Sequence, residues 1–418
     1  MKFVIIGGGF GGLRLARKLS NKPGFDITLI DRFNYHQFQP LFYQVATAGL
    51  DASNISFPLR KVFQKSKNVH FRMAEVQQVL SDEKKLITDI GEFEFDALVI
   101  ATGADTNFFS NRLLMQNAFP MKSTVEALQL RHRLLHNFED ALSTNDAMGL
   151  QRLMTIVIVG AGPTGVELSG AIADMKRFVL PKDYPELDFT QMKIYLLEGT
   201  GKTLGAMSEK SSIQSRQYLE KLGVTVLTNT LLKEYDGKTV QLQNGETIES
   251  AMVIWAAGIK GNVPAGINSD LIVKGNRIKV DRHCQVIGHE NIFAIGDVAY
   301  MEEPAWPNGH PQVAPVAMQM ADMIAKNLQV GNKQWRDFVY NDKGSMATVG
   351  RNLAVVDVPK PKLHFGGFFA WMIWMGLHLM LILGVKNRFF VFCNWLYNYL
   401  TYDQNLRLIF KEFYRENK

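Results

Sequence analysis

The chain opens Val4-Ile5-Ile6-Gly7-Gly8-Gly9-Phe10-Gly11-Gly12, an apolar run that breaks into a glycine-rich turn. Lys2–Ile6 reads as a short buried strand and Gly11–Ser20 as the helix behind it. Gly7, Gly9 and Gly12 fit G-x-G-x-x-G, where glycine permits a tight turn and lets backbone approach a pyrophosphate. The phosphates then face the positive end of the following helix. Asp26–Ile30 reads as the next strand and ends at Asp31, 24 residues after Gly7. That spacing suits a carboxylate that accepts hydrogen bonds from a ribose.

The pattern returns at Gly160-Ala161-Gly162-Pro163-Thr164-Gly165, after the strand Thr155–Val159. Val166, Leu168, Ala171, Ile172 and Met175 follow with helical spacing. Lys193–Leu197 is then a strand ending at Glu198, but 38 residues separate Glu198 from Gly160. The stretch Arg177–Gln191, with Pro181 and Pro185, reads as an insertion that accounts for the excess. Two further strands echo each other: Ala97–Ile100 runs into Ala101-Thr102-Gly103, and Met252–Trp255 into Ala256-Ala257-Gly258. Such an echo implies an internal repeat of two nucleotide-binding folds. Leu128–Leu142 and Ala314–Leu328 read as helices, and Asn291–Ile295 as a strand broken at Gly296-Asp297.

The expected class is therefore α/β: two Rossmann-like dinucleotide-binding folds plus a C-terminal amphipathic, membrane-anchoring helical segment. Residues 1–120 and 266–330 are expected to make the two halves of the first fold, and 121–265 the second. Residues 331–363 read as a β-rich connection and 364–418 as membrane-associating helices. A chain that binds two dinucleotides usually passes electrons between them.

With 418 residues there is room for two or three domains. The net charge of +6 comes from scattered basic residues, which argues against a nucleic-acid partner and weakly favours an anionic membrane surface. Cys284 and Cys393 are far apart and form no C-x-x-C, so neither a redox dithiol nor a metal site is expected. Met1–Ile6 leads straight into the glycine turn and leaves no room for a secretory leader, so the bulk of the protein is expected in the cytosol.

The last part of the chain changes character. Phe365–Val385 carries no formal charge and is long enough to raise a membrane span. Yet glycines interrupt it at Gly366, Gly367, Gly376 and Gly384, and Lys386 and Arg388 follow. Phe389, Phe392, Cys393, Leu396, Tyr399 and Leu400 then fall on one helical face. Two helices lying in the membrane interface fit this pattern best; a span and a partner or dimer surface are the alternatives.

Several polar residues stand out. Glu167, in the first turn of the second glycine helix, either complements the helix dipole or handles protons beside a redox ring. Asp297 either caps a helix or bonds a flavin ribitol or pyrophosphate. Gln44, in Pro40-Leu41-Phe42-Tyr43-Gln44-Val45-Ala46, and Gln319, in Ala314-Pro315-Val316-Ala317-Met318-Gln319, are either satisfied amides or donors to a quinone carbonyl in an apolar tunnel. Glu198 would repel a 2′-phosphate and so favours NADH over NADPH, against the nearby Lys202.

With these residues in place the chain resembles the type II NADH dehydrogenases, single-subunit, non-proton-pumping NADH:quinone oxidoreductases. The likeness rests on Val4–Gly12, Pro40–Ala48, Gly162–Leu168, Ala294–Asp297 and the tail Asn394-Trp395-Leu396-Tyr397-Asn398-Tyr399-Leu400-Thr401-Tyr402-Asp403. The second and last of these are the more specific to the family. The resemblance implies non-covalent FAD at Gly7, Gly9, Phe10, Gly11, Gly12, Asp31, Arg32, Thr102, Gly103, Gly296, Asp297 and Ala317. It implies NADH at Gly160, Gly162, Pro163, Thr164, Gly165, Glu198, Ala257 and Gly258. Hydride would pass to flavin N5, and electrons then to menaquinone or ubiquinone. Glu167, Gln44 and Gln319 would serve catalysis, the protein sitting as a peripheral respiratory-chain enzyme on the cytoplasmic face of the inner membrane. The family's quinone motif Ala-Gln-x-Ala-x-Gln is matched at Ala314, Ala317 and Gln319, but Pro315 replaces its first Gln. A sulfide:quinone oxidoreductase needs cysteines beside the flavin that this chain lacks. An NADH-binding flavoprotein sensor without quinone chemistry is the rival from another class.

Overall fold

Strand Lys2–Ile6 is central to a five-stranded parallel sheet, flanked by Asp26–Asp31 on one side and Ala97–Ile100 on the other. Val69–Met73 and Ile292–Ala294 form its outer edges. The central strands Lys2–Ile6 and Ala97–Ile100 read as near-continuous apolar runs because helices and loops cover both faces of a parallel sheet. A computed structural model describes residues 1–330 and 335–409. The chain divides into two compact units. The first comprises Met1–Gln37, Ser56–Asp105 and Ile259–Asp342; the second Phe38–Ile55, Thr106–Gly258 and Lys343–Lys418.

In the first unit the glycine helix is Phe10–Leu19, and it packs against Ala314–Val330. Arg14 reaches Asp322 through two hydrogen bonds of 2.8 and 2.9 Å across that seam.

The second unit repeats the sheet. Thr155–Val159 lies between Lys193–Leu197 and Met252–Trp255, with Thr225–Leu227 and Phe119–Pro120 outside. In both sheets the first glycine has positive φ, +104° at Gly7 and +101° at Gly160. A Cβ on Gly12 would fall 1.9 Å from the Gly7 oxygen, and one on Gly165 would fall 1.9 Å from that of Gly160. The motif's last glycine is thus imposed by helix–strand contact in each copy.

The insertion reading of Arg177–Gln191 has a physical form. The second glycine helix runs Pro163–Phe178, longer than its counterpart, and is followed by the short turns Leu180–Asp183 and Phe189–Gln191. Glu167 lies beyond the first turn of this helix and is buried, so the helix-dipole reading does not apply to it. The helix presses on strand Ser345–Gly350 so closely that a Cβ on Gly170 would sit 1.5 Å from the Val349 oxygen.

Strands Ser345–Gly350, Leu353–Val358 and Leu363–Gly366 form an antiparallel sheet that carries the tail. The uncharged run Phe365–Val385 is not one helix: it ends a strand, makes helix Phe368–Leu381, and breaks before helix Val385–Thr401. Among the described residues no helix is long and apolar enough to cross a membrane. Of the expected apolar face, Phe389, Phe392, Cys393, Leu396 and Leu400 are exposed, while Val391 and Trp395 are the buried positions. Residues 331–334 of the expected connection and 410–418 of the expected tail lie outside the described residues.

Arg351 holds the end of the last helix. Its guanidinium donates to the carbonyls of Asn398 (3.2 Å) and Tyr399, and stacks over the Tyr399 and Tyr402 rings. A cation on the C-terminal carbonyls adds hydrogen bonds there and complements the helix dipole. Arg351→Met should therefore cost about 2 kcal/mol, read as an earlier urea midpoint. An unchanged midpoint would mean the clamp contributes nothing.

Candidate active site

In the first unit the predicted residues gather at the carboxyl edge of one sheet, where open α/β sheets bind ligands. Gly7, Thr102, Gly103 and Gly296 follow the ends of neighbouring parallel strands, and Asp31 is the last residue of another. Asp31 accepts from the Gly8 N–H at 2.5 Å and the Phe33 N–H at 2.7 Å, so it braces the glycine loop. Burial raises its pKa, and these two donors pull it back. Phe10 meets the His36 ring edge-on, while the His36 Nδ1 lies 2.9 Å from the Gly8 carbonyl. Arg32 lies over the Phe33 ring, and the Thr102 hydroxyl donates to the Asn262 carbonyl at 2.5 Å. Asp297 falls in a short 3-10 turn behind Gly296, which abuts Ala317 on the Ala314–Val330 helix.

Two features of this loop fit an anion. Helix Phe10–Leu19 begins at Gly9, which has no side chain to cap it, as at other anion-binding helix starts. A Cβ on Gly9 or Gly103 would meet nothing within 4 Å, so the space over the loop is open.

The second unit copies this arrangement. The Ala161 N–H donates to Glu198 at 2.7 Å, the counterpart of the Gly8–Asp31 bond. Register confirms the equivalence: Val159 pairs Leu197 as Ile6 pairs Ile30, so each acid directly follows the matched pair. The long spacing to Glu198 thus reflects the inserted turns alone. The other Glu198 oxygen accepts from the Thr200 N–H and hydroxyl, both at 2.8 Å. Lys202 pairs with Glu209 at 3.4 Å. Helix Pro163–Phe178 starts at Gly162 without a side-chain cap, with Pro163 in its first turn and open space over Gly162. Thr164 follows on the exposed first turn; Gly258, next to Ala257, packs under the Phe109 ring.

Within this same unit lies a cavity of about 150 Å³. Gln44 lines one side of it. Its Oε1 accepts from the Trp395 indole at 2.7 Å, and its Nε2 donates to the Tyr43 hydroxyl at 2.7 Å. Glu167 lines it too, and its Oε1 accepts from the Thr348 N–H at 3.4 Å. Burial drives the Glu167 pKa up to about 8, partly offset by the Thr348 N–H and the Trp374 side chain. Asp174, two turns on, is pushed to about 6 by burial, offset by the Arg351 N–H, which donates to it at 2.9 Å, and by the charges of Arg351 and Arg177. Glu167, Ala171 and Asp174 all line the cavity, as their i, i+4, i+7 spacing on one helix allows.

Gln319 belongs to the first unit, where its amide is engaged on both sides by the Asn341 backbone, at 3.0 and 2.9 Å. Sequence reasoning did not single out Tyr43, Asp174, Arg351 or Trp395 as cavity residues. Only Asp174 left a legible signal, its seven-residue offset from Glu167.

The chain is similar to known proteins along most of its length. A family profile for Pyridine nucleotide-disulphide oxidoreductase matches residues 1–321, and one for the NDH2 C-terminal domain matches residues 343–402. The type II NADH:quinone oxidoreductase Ndh of Mycobacterium tuberculosis is 35% identical over 421 residues, covering 96% of this chain and 88% of that relative. NdhA of the same organism is 34% identical, covering 94% and 86%. The structure of NDH2 from Plasmodium falciparum in complex with NADH superposes with a TM-score of 0.88 at 21% identity, covering 98% and 99%. The sulfide:quinone oxidoreductase of Aquifex aeolicus reaches a TM-score of 0.70 at 21% identity, covering 93% and 92%, which speaks to fold alone. Fold and cradles define a pyridine nucleotide-disulphide oxidoreductase, and within that family the chain belongs to the type II NADH:quinone oxidoreductases.

A titration follows from the buried acid. A Glu whose folded pKa is raised from 4.5 to about 8 holds its proton in the native state while the unfolded chain releases it. Its stabilising effect is complete below the unfolded value and is lost as pH rises towards 8. Glu167→Gln removes this loss, so the melting temperature of the variant relative to the parent should climb by several degrees between pH 5 and pH 8. A difference constant across that range would contradict a buried, protonated Glu167.

Proposed function

We propose that the enzyme converts NADH, a proton and a membrane quinone into NAD⁺ and quinol, without pumping protons. FAD is held non-covalently on the first cradle, NADH visits the second, and the quinone head group enters the Tyr43–Gln44–Glu167 cavity. The observation that carries the quinone assignment is this cavity: one fixed amide and one neutral acid at the floor of an aromatic pocket.

Residues for each ligand follow from the geometry. The uncapped start of Phe10–Leu19 and the open space over Gly9 and Gly103 suit the FAD pyrophosphate, with Asp31 towards a ribose. Bound there, the flavin would accept two electrons from a nicotinamide and hand them to a quinone. Glu198 has the position of Asp31 in the second cradle, and a carboxylate there disfavours a 2′-phosphate. Lys202, tied to Glu209, is held by an acid of its own, which supports NADH as the better substrate.

In the cavity, Gln44 has its carbonyl committed to Trp395 and one amide hydrogen to Tyr43. Its second amide hydrogen is left to donate to a quinone carbonyl. Glu167, protonated at neutral pH, is placed to give its proton to a quinone oxygen. The sulfide reading draws no support from the cysteines. Cys284 is buried with its thiol pushed far up, and Cys393 is exposed on the last helix. The outward Phe369, Phe389, Leu396 and Leu400 support a peripheral seat on the membrane, which we place on the cytoplasmic face of the inner membrane.

Steady-state kinetics with menaquinone and ubiquinone analogues test the assignment. Gln44→Ala should raise KM for quinone about tenfold, as for a lost hydrogen bond of roughly 1.4 kcal/mol, with KM for NADH unchanged. A shift in KM for NADH alone would move the quinone elsewhere.

A further inference from the structure

The cavity that holds Gln44 and Glu167 extends past Ala171 to Asp174, and its far end is polar. Three buried polar atoms there, Asn398 Oδ1, Gln404 Oε1 and Arg351 Nε, have no protein partner among the described residues. Buried polar atoms are almost always satisfied, by ordered water where protein does not reach them. Asp174 is half-buried at this end, whereas Glu167 is buried at the other. Seven residues of helix separate the two carboxyls by about 10 Å along the axis, with the small Ala171 between them. That span is too long for direct transfer and suits a short file of water.

Building on the quinone reading of this cavity, we propose that Asp174 is the entry of a water-filled proton path that recharges Glu167. The stoichiometry calls for such a path. A quinone takes up two electrons and two protons; the hydride of NADH carries two electrons and one proton equivalent, and the second proton comes from solvent. Glu167 gives a proton to the quinone oxygen. Asp174 passes one inward through water to the Glu167 carboxylate and takes another from solvent, so both acids end as they began. Asp174 acts through Glu167 and touches no substrate; it is a positioned relay. The same helix face places both acids, because the Gly170–Val349 contact fixes the roll of the helix against strand Ser345–Gly350.

Asp174→Asn should lower quinone kcat at least tenfold and leave KM for quinone within twofold, while bleaching of the bound flavin by NADH in a single turnover stays at the parental rate. In Asp174→Ala, millimolar formate or azide should restore much of the lost kcat, a rescue that a merely structural role does not give. Parental kcat in Asp174→Asn alongside a slow Glu167→Gln overturns the relay and leaves the quinone site standing. Parental kcat in both variants overturns the quinone assignment of the cavity itself. A loss in Asp174→Asn that extends equally to flavin bleaching, or that neither acid rescues in Asp174→Ala, also overturns the relay.

Discussion

A hydrogen bond of 2.7 Å from the Trp395 indole to the Gln44 side-chain carbonyl joins two segments 351 residues apart. An indole can only donate, so this bond fixes which end of the amide is oxygen and which end is left to donate. Around it, Asn398 donates to the Gly49 carbonyl at 3.0 Å and Arg351 clamps the helix end. The site and the docking of the C-terminal helix are therefore one structure. The bond also explains why Pro40–Ala48 and Asn394–Asp403, which carry the family likeness, occur together: each supplies half of the same pocket wall.

The inserted turns gain a purpose from this view. They separate Glu198 from its glycine loop in sequence without disturbing the loop–acid bond. They also present Asp183 to Arg407, and Phe178, at the end of the glycine helix, meets the Tyr402 ring. A detour in the second nucleotide fold thus becomes the dock for the tail. The first fold needs no such dock, and its glycine helix ends at Leu19.

Much of the fold was legible in the sequence because steric rules are local. Gly12 and Gly165 are dictated by contact with a carbonyl five residues earlier, and strand–turn–helix order carries the rest. The glycine loops and the Gly8–Asp31 bond follow from the same logic, Asp31 through ordinary spacing. The pocket was legible only in pieces. Glu167 and Gln44 stood out as polar residues in apolar runs, but their partners come from strand Ser345–Gly350 and the last helix, contacts between distant segments that no local pattern encodes. The dipole reading of Glu167 failed because the helix begins at Pro163 and so leaves Glu167 past its first turn, while roll against Val349, set by tertiary packing, decides what that face meets. The uncharged run Phe365–Val385 was legible as an interrupted one, since Gly367 and Gly384, both at positive φ, break it into separate elements.

The proposed quinone site lies between Gln44, Glu167 and the last helix. Photolabelling of the holoenzyme with a short-chain azidoquinone, followed by peptide mapping, tests that placement directly. Label confined to peptides spanning residues 40–50 and 391–404, and displaced by excess unlabelled quinone, is the predicted result. Displaceable label on the Ala314–Val330 helix around Gln319, with none at Gln44 or Trp395, would contradict it.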